Sequence, residues 1–367
     1  MVDLILDGQK LAWHKDRVEA WLKGERIAPI TIDCALTRRC TYRCIYCYGK
    51  LQANDEKKIT KDVIFRFLDD AAEIGVKAVS FVSDGESTCS PHFYDAVLRG
   101  KANGLDMAVG TNGYLLKEER LEELLPALTY LRFNISAAQA QRYAEIHGCE
   151  AKCFDRVIRI IAACVKIKKE KNLAVTLGLQ MVFLPSFSDQ VVLLARLGRD
   201  LGVDYTVIKH CSDDEKGSLG VPYAKFKDCV DVLKEAQAYT RAPYTVGVKW
   251  SKILSEGQRR YKQCFGPAFI MQFSGSGLVA PCGMFFNKKY AKYHIGNIAQ
   301  KSFKQIFKSE RYREVLRLIA SEKFDACTMC GTLCLQHKVN EYLWDLKNGK
   351  EQLKAPVGEP PQHINFV

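Results

Sequence analysis

Cys40, Cys44 and Cys47 stand in the run Cys40-Thr41-Tyr42-Arg43-Cys44-Ile45-Tyr46-Cys47, directly after the apolar segment 30–36. Three thiolates on one short loop can hold three irons of a [4Fe-4S] cluster, whereas most structural clusters and zinc sites close their coordination with a fourth protein ligand. One iron is then left open for a reactant. A second set lies far along the chain: Cys264, Cys282, Cys327, Cys330 and Cys334. Gly275, Ser276 and Gly277, between the apolar runs 269–273 and 278–280, predict a β-hairpin flanked by Cys264 and Cys282. The Cys327-x2-Cys330 pair would close a four-thiolate site from the other side, and spacing alone leaves zinc and a [4Fe-4S] cluster equally open.

Positioning such loops needs a scaffold. Short β-rich runs at 30–36, 78–83, 106–111, 129–135, 173–182 and 204–210 alternate with amphipathic stretches at 61–75, 91–103, 117–125, 154–170, 189–202 and 224–239. That alternation predicts βα units around a parallel sheet. Six units are too few for a closed eight-stranded barrel, and chemistry on such a sheet gathers at the C-terminal ends of the strands. Polar residues stand there: Ser83-Asp84-Gly85-Glu86 after the second strand, Asn112 after the third, and Asn134 and Ser136 after the fourth. Gln180 ends the fifth strand, and Lys209-His210-Cys211-Ser212-Asp213-Asp214 ends the sixth.

With the cysteine triplet, these motifs resemble the radical S-adenosylmethionine (radical SAM) superfamily. The resemblance implies a partial (β/α)6 TIM-like barrel, with SAM chelated to the open iron. Ser83, Asp84, Gly85 and Glu86 look like a variant of the family's Gly-Gly-Glu loop for the SAM amino group, with Asp84 in place of the first glycine. Tyr46 looks like the aromatic residue near the adenine. Asn112, Asn134, Ser136 and Gln180 stand where the family positions polar ligands for SAM. Beyond residue 260 the glycine spacing, the segment Gly296-Asn297-Ile298 and the helix expected from Ser302 resemble a SPASM or shorter twitch extension, a β-hairpin plus helix domain. That implies one auxiliary [4Fe-4S] cluster on Cys264, Cys282, Cys327 and Cys330. Cys334 is left as a substitute for Cys330, a packing residue or the trace of a second site. The expected division is an N-terminal extension 1–29, the barrel 30–245, the auxiliary domain 246–340 and an extended C-terminal tail 341–367.

Composition narrows the setting. The N-terminus is acidic and lacks a long apolar core, so it does not read as a signal peptide. Fifteen cysteines then point to metal or redox chemistry in a reducing cytoplasm. The net charge of +12 suits acidic electron donors, a flavodoxin or ferredoxin, or a phosphorylated substrate. Family chemistry implies reductive SAM cleavage to a 5′-deoxyadenosyl radical that abstracts hydrogen from the substrate. A small polar molecule such as a sugar, cyclitol or nucleotide-linked sugar is favoured. The alternative of a peptide-modifying maturase is disfavoured by the 29 residues before the first expected strand, short for a leader-binding domain. A non-catalytic metal- or nucleic-acid-binding protein lacks the aromatic-interleaved basic motif it would need. Dehydrogenation is favoured over epimerisation. Cys211 and Cys149 are the candidate catalytic thiols for returning a hydrogen atom.

Overall fold

Strands buried at every position mark the centre of the fold. Thr31–Cys34 (β1) and Ala78–Phe81 (β2) expose no residue, as parallel strands covered on both faces require. The computed structural model describes residues 4–5, 9–54, 57, 59–332 and 334–367. In it β1 and β2 are followed by Asp106–Thr111 (β3), Leu128–Asn134 (β4), Thr176–Phe183 (β5) and Tyr205–His210 (β6), each parallel to the strand before it. All six expected strands are there, in sequential order around a partial α/β barrel.

The helices between them bury the faces their periodicity marks. Lys61–Glu73 begins on Thr60, whose side chain accepts from Val63 N, and buries Ile64, Phe67, Leu68 and Ala71. Lys152–Glu170 does the same with Val157, Ile160, Ile161, Cys164 and Val165. Five α-helices among the described residues escaped the sequence reading: Lys15–Leu22, Ala140–His147, Trp250–Ile253, Ala326–Met329 and His337–Lys347. The first two span only eight residues each, too few to set a period.

A further parallel strand, Thr245–Val248 (β7), pairs with β6. It has four residues, one of them Gly247, and carries little apolar signal. On the other side of β1 lie Ile270–Phe273 (β8) and Leu278–Ala280 (β9), the expected hairpin, followed by Gly296–Asn297 (β10). β8 is parallel to β1, with Thr31 opposite Ile270 and Cys34 opposite Phe273. One ten-stranded sheet results, in the order β10-β9-β8-β1-β2-β3-β4-β5-β6-β7. The helix expected from Ser302 is two helices, Phe303–Lys308 and Glu310–Ile319, because Ser309 is extended and caps the second.

The end of the chain, expected to be extended, returns to the N-terminal ends of the strands. Thr31 Oγ1 donates to Asn365 O at 2.7 Å, Asn365 Nδ2 donates to Asp106 at 2.8 Å, and His363 Nε2 meets Thr176 Oγ1 at 2.8 Å. Lys10 Nζ donates to the carbonyls of His363 and Phe366 at 3.0 and 2.9 Å. These residues form a floor beneath the barrel lumen.

Candidate active site

Alternation along the strands decides which side chains enter the lumen. Asp33 on β1, Arg132 and Asn134 on β4, Gln180 and Val182 on β5, and Val207 and Lys209 on β6 point inward at every second position. They line a cavity of about 650 Å³ that runs from the floor to the C-terminal ends of the strands. At its mouth are Cys40, Cys44 and Cys47.

The cysteine loop is held from three directions. Its amides Arg43 N and Ile45 N donate, both at 3.0 Å, to the last carbonyls of the helix Ala140–His147, acceptors that a helix end leaves free. Gly85 and Gly275 pack against the Thr37–Arg38 peptide so closely that a Cβ on either would lie 2.0–2.2 Å from Thr37 backbone atoms. Glu86 N donates to Arg39 O at 2.9 Å.

The expected SAM-binding residues fall into two groups. Ser83, Asp84, Gly85, Glu86, Asn112, Asn134, Gln180 and Tyr46 line the cavity, and Ser136 does not. Several are already engaged. The Glu86 carboxylate accepts from Thr88 Oγ1, Thr111 Oγ1 and Asn112 N at 2.7–2.8 Å, tying the loop after β2 to that after β3. The Asp84 carboxylate accepts from Ser274 Oγ at 2.6 Å and Gly275 N at 2.8 Å and pairs with Arg38 at 3.3 Å, fastening the hairpin turn to the cysteine loop. Asn134 accepts from Gln180 Nε2 at 2.7 Å. The fully buried Ser136 is turned behind the loop, where its Oγ donates to Tyr46 Oη at 3.2 Å and accepts from Val182 N at the same distance.

Of the two non-cluster thiols, Cys211 lines the cavity and donates to Tyr46 O at 3.5 Å. Burial pushes it up to about 12. Cys149 does not line the cavity; its free thiol lies beside that of Cys153, near Tyr42 and Tyr143.

The second cysteine set divides in the structure. Cys264, Cys282, Cys330 and Cys334 are near enough to repel one another, and burial with that repulsion pushes Cys264 and Cys282 far up. Burial also raises Cys330 to about 11, against the opposing pull of the Arg259 guanidinium. Cys327, expected in the foursome, stands apart: it is exposed on the short helix Ala326–Met329, with its thiol facing the carbonyls of Arg259 and Tyr261 at 3.7 and 3.6 Å. Helical phase separates the pair, since Cys330 is the non-helical residue that ends this turn. Lys252 Nζ donates to Cys334 O at 2.8 Å, and Gln336 donates to Ile270 O and Pro281 O at 2.6 and 3.0 Å, bracing Cys334 against the hairpin. Cys334 also lines the main cavity, so the two cysteine sets border one space.

Two family models match the chain. One, the radical SAM superfamily, matches residues 35–195; the other, the SPASM iron-sulfur cluster-binding domain, matches residues 264–332. The chain belongs to the radical SAM superfamily. It is 23% identical over 312 residues to the tungsten-containing aldehyde ferredoxin oxidoreductase cofactor-modifying protein of Pyrococcus furiosus, covering 81% of this chain and 85% of that one. It is 24% identical over 311 residues to the AdoMet-dependent heme synthase of Methanosarcina barkeri, covering 79% and 85%. Among solved structures, Streptococcus suis SuiB bound to its precursor peptide SuiA shares the fold with a TM-score of 0.64 at 16% identity, over 83% of this chain and 70% of that one. A radical SAM enzyme with a SPASM domain works with [4Fe-4S] clusters and SAM. The donors present are of the kind such clusters need: three loop thiols face a cavity and a second set of cysteines stands beside it, while no three such side chains among the described residues are gathered closely enough to hold a metal ion as they stand. No helix among the described residues is long and apolar enough to cross a membrane.

Sequence reasoning picked out Lys209 but missed the other lumen charges, Asp33 and Arg132, and the groups behind the thiols. Asp33 and Arg132 sit inside strands whose apolar neighbours mask them. His147 ends a helix that was not foreseen. It is buried beside Cys44 and Tyr46, and burial pushes it down to about 3, so it is neutral.

Proposed function

We propose that this radical SAM enzyme is an oxidoreductase acting on a small, polar, anionic molecule of the sugar, cyclitol or nucleotide-linked sugar class, bound in the barrel lumen. One observation carries the reading. Asp33, Arg132 and Lys209 meet in the lumen below the cysteine loop, two cations to one carboxylate, and the buried Arg132 Nε has no hydrogen-bond acceptor. Burying an uncompensated cation is unfavourable unless a ligand supplies the missing charge. Burial pushes Asp33 up to about 7 and Lys209 down to about 7, and an entering phosphate or carboxylate would restore the full charge of Lys209.

Cys40, Cys44 and Cys47 would hold the cluster that binds SAM, and when bound the pair would supply a 5′-deoxyadenosyl radical able to take a hydrogen atom. This chain's own residues confine that event: the floor of residues 363–367 and the hairpin exclude water, and Arg132 with Lys209 orient the substrate. Cys264, Cys282, Cys330 and Cys334 would hold one auxiliary cluster as acceptor of the second electron, which favours dehydrogenation over epimerisation. The barrel 30–245 and auxiliary domain 246–340 carry these two tasks. An acidic flavodoxin or ferredoxin in the cytoplasm is the proposed electron donor, matched to the charge of +12.

The test is 5′-deoxyadenosine formation by the anaerobically reconstituted enzyme with dithionite, SAM and a panel of nucleotide sugars, free cyclitols and peptides. A small anionic compound should raise the rate above the uncoupled level and leave as a product two hydrogens lighter. Stimulation by peptides alone would overturn the proposal in favour of a maturase.

A further inference from the structure

Cys44 has a side-chain partner at its sulfur. The helix Ala140–His147 delivers its last side chain against the cysteine loop, with His147 Nδ1 3.2 Å from Cys44 Sγ. The other ring nitrogen fixes the tautomer. Ser136 N donates to His147 Nε2 at 3.0 Å, and a nitrogen that accepts an amide proton carries none of its own, so the imidazole proton sits on Nδ1, facing the thiol. Tyr46 Oη accepts from Ser136 Oγ at 3.2 Å and lies 3.4 Å from the same His147 Nδ1. Ser136 thus holds His147 through its amide and Tyr46 through its hydroxyl, which is held in turn by Val182 N at 3.2 Å on β5. His147 is 1% exposed and Ser136 wholly buried, so no water competes for these bonds.

We propose that His147 is a positioning residue that tunes the SAM-binding cluster, its Nδ1–H donating to the Cys44 thiolate and favouring the reduced state. The inference rests on the reading of Cys40, Cys44 and Cys47 as the cluster's ligands. Reduction adds one electron from the donor protein or dithionite, and no proton moves. The added negative charge is shared by the sulfurs, so a hydrogen bond to sulfur stabilises the reduced form more than the oxidised one. Such a bond to a charged acceptor is worth about tenfold in the equilibrium. Ser136 is drawn into this role as the residue that fixes the ring, apart from any contact with SAM.

The experiment is an anaerobic redox titration of the reconstituted full chain followed by EPR, with and without SAM, for the parent, His147→Phe and His147→Asn. In the parent, a signal that changes with SAM identifies the cluster; its absence would sink the ligand reading itself and is distinguishable from a failure of the tuning. His147→Phe should make reduction about tenfold less favourable, about 59 mV lower for one electron, while the auxiliary signal keeps its potential. His147→Asn retains an N–H near the δ position and should recover most of that loss. Equal shifts in both variants would mean that the ring only packs, and no shift in either would remove the hydrogen bond from the account. A second measurement needs no substitution: with 15N-histidine the parent's SAM-responsive signal should show a 15N coupling, and its absence overturns the proposal even if His147→Phe fails to fold.

Discussion

Gly85 and Gly275, one after β2 and the other in the auxiliary hairpin turn, close on the same peptide, Thr37–Arg38, just before the first cluster cysteine. A Cβ on Gly85 would stand 2.0 Å from Thr37 O, and one on Gly275 would stand 2.2 Å from Thr37 C. Neither obstacle is a flexible side-chain end, so the backbone would have to move.

Gly85→Ala should therefore push the cysteine loop out of place. Overpacking of this kind costs about 1–3 kcal/mol, and here the strain falls on the loop that presents the thiols. Iron content after reconstitution should drop towards that of the auxiliary site alone, with a lowered melting temperature. Full iron and unchanged melting would show that the loop adapts freely.

The auxiliary site separates Cys334 from Cys327. Two [4Fe-4S] clusters correspond to about eight irons per chain. Cys334→Ala should lose about half, whereas Cys327→Ala, on an exposed turn, should keep nearly all. The opposite ranking would restore the foursome read from the sequence, and stoichiometric zinc in the parent would displace the cluster altogether.

The lumen charges make stability depend on pH. Asp33 titrates near 7 in the folded chain and in the ordinary carboxylate range, about 4, when unfolded. Between those values the folded state holds the extra proton, so stability falls as pH rises. Lys209 titrates near 7 when folded, against 10.5 ordinarily. Over that interval the unfolded state holds the extra proton, so stability rises with pH. The melting temperature should accordingly pass through a minimum near neutrality. Asp33→Asn should flatten the acidic limb and Lys209→Met the alkaline limb; limbs that survive both substitutions would assign the effect to other groups.

Cys211 and Cys149 can be told apart in deuterium oxide with the substrate found by the deoxyadenosine screen. A dehydrogenase leaves no solvent deuterium on the product carbon. Deuterium that disappears in Cys211→Ala while SAM cleavage continues would make the enzyme an epimerase, with Cys211 the donor. Cys149→Ala should change nothing, since Cys149 does not line the cavity.

The parts legible in the sequence were those with a local signature. The six barrel strands announced themselves as apolar runs, the cysteine triplet by its spacing, and the hairpin by Gly275-Ser276-Gly277. Residues whose role depends on a distant partner gave no such sign. Cys327 lies exposed on the short helix Ala326–Met329, whereas Cys334 lies beyond that helix and is buried, a difference that spacing does not carry. Ser136 stands at a strand end like a ligand, yet its hydroxyl is taken by Tyr46 and Val182. Asp84, read as a departure from a glycine motif, is occupied by the hairpin turn through Ser274 and Gly275.

The pairing of β8 with β1 bears on engineering and on descent. An auxiliary domain joined only by a linker could be exchanged between relatives like a cassette. Here its first strand completes the hydrogen bonding of the strand that leads into the cysteine loop. A graft would leave the β1 edge bare, Thr37 and Arg38 unseated and Asp84 without its two donors. The hairpin and the cysteine loop have to change together, so chimaeras should succeed only when cut beyond β10, where the chain leaves the shared sheet.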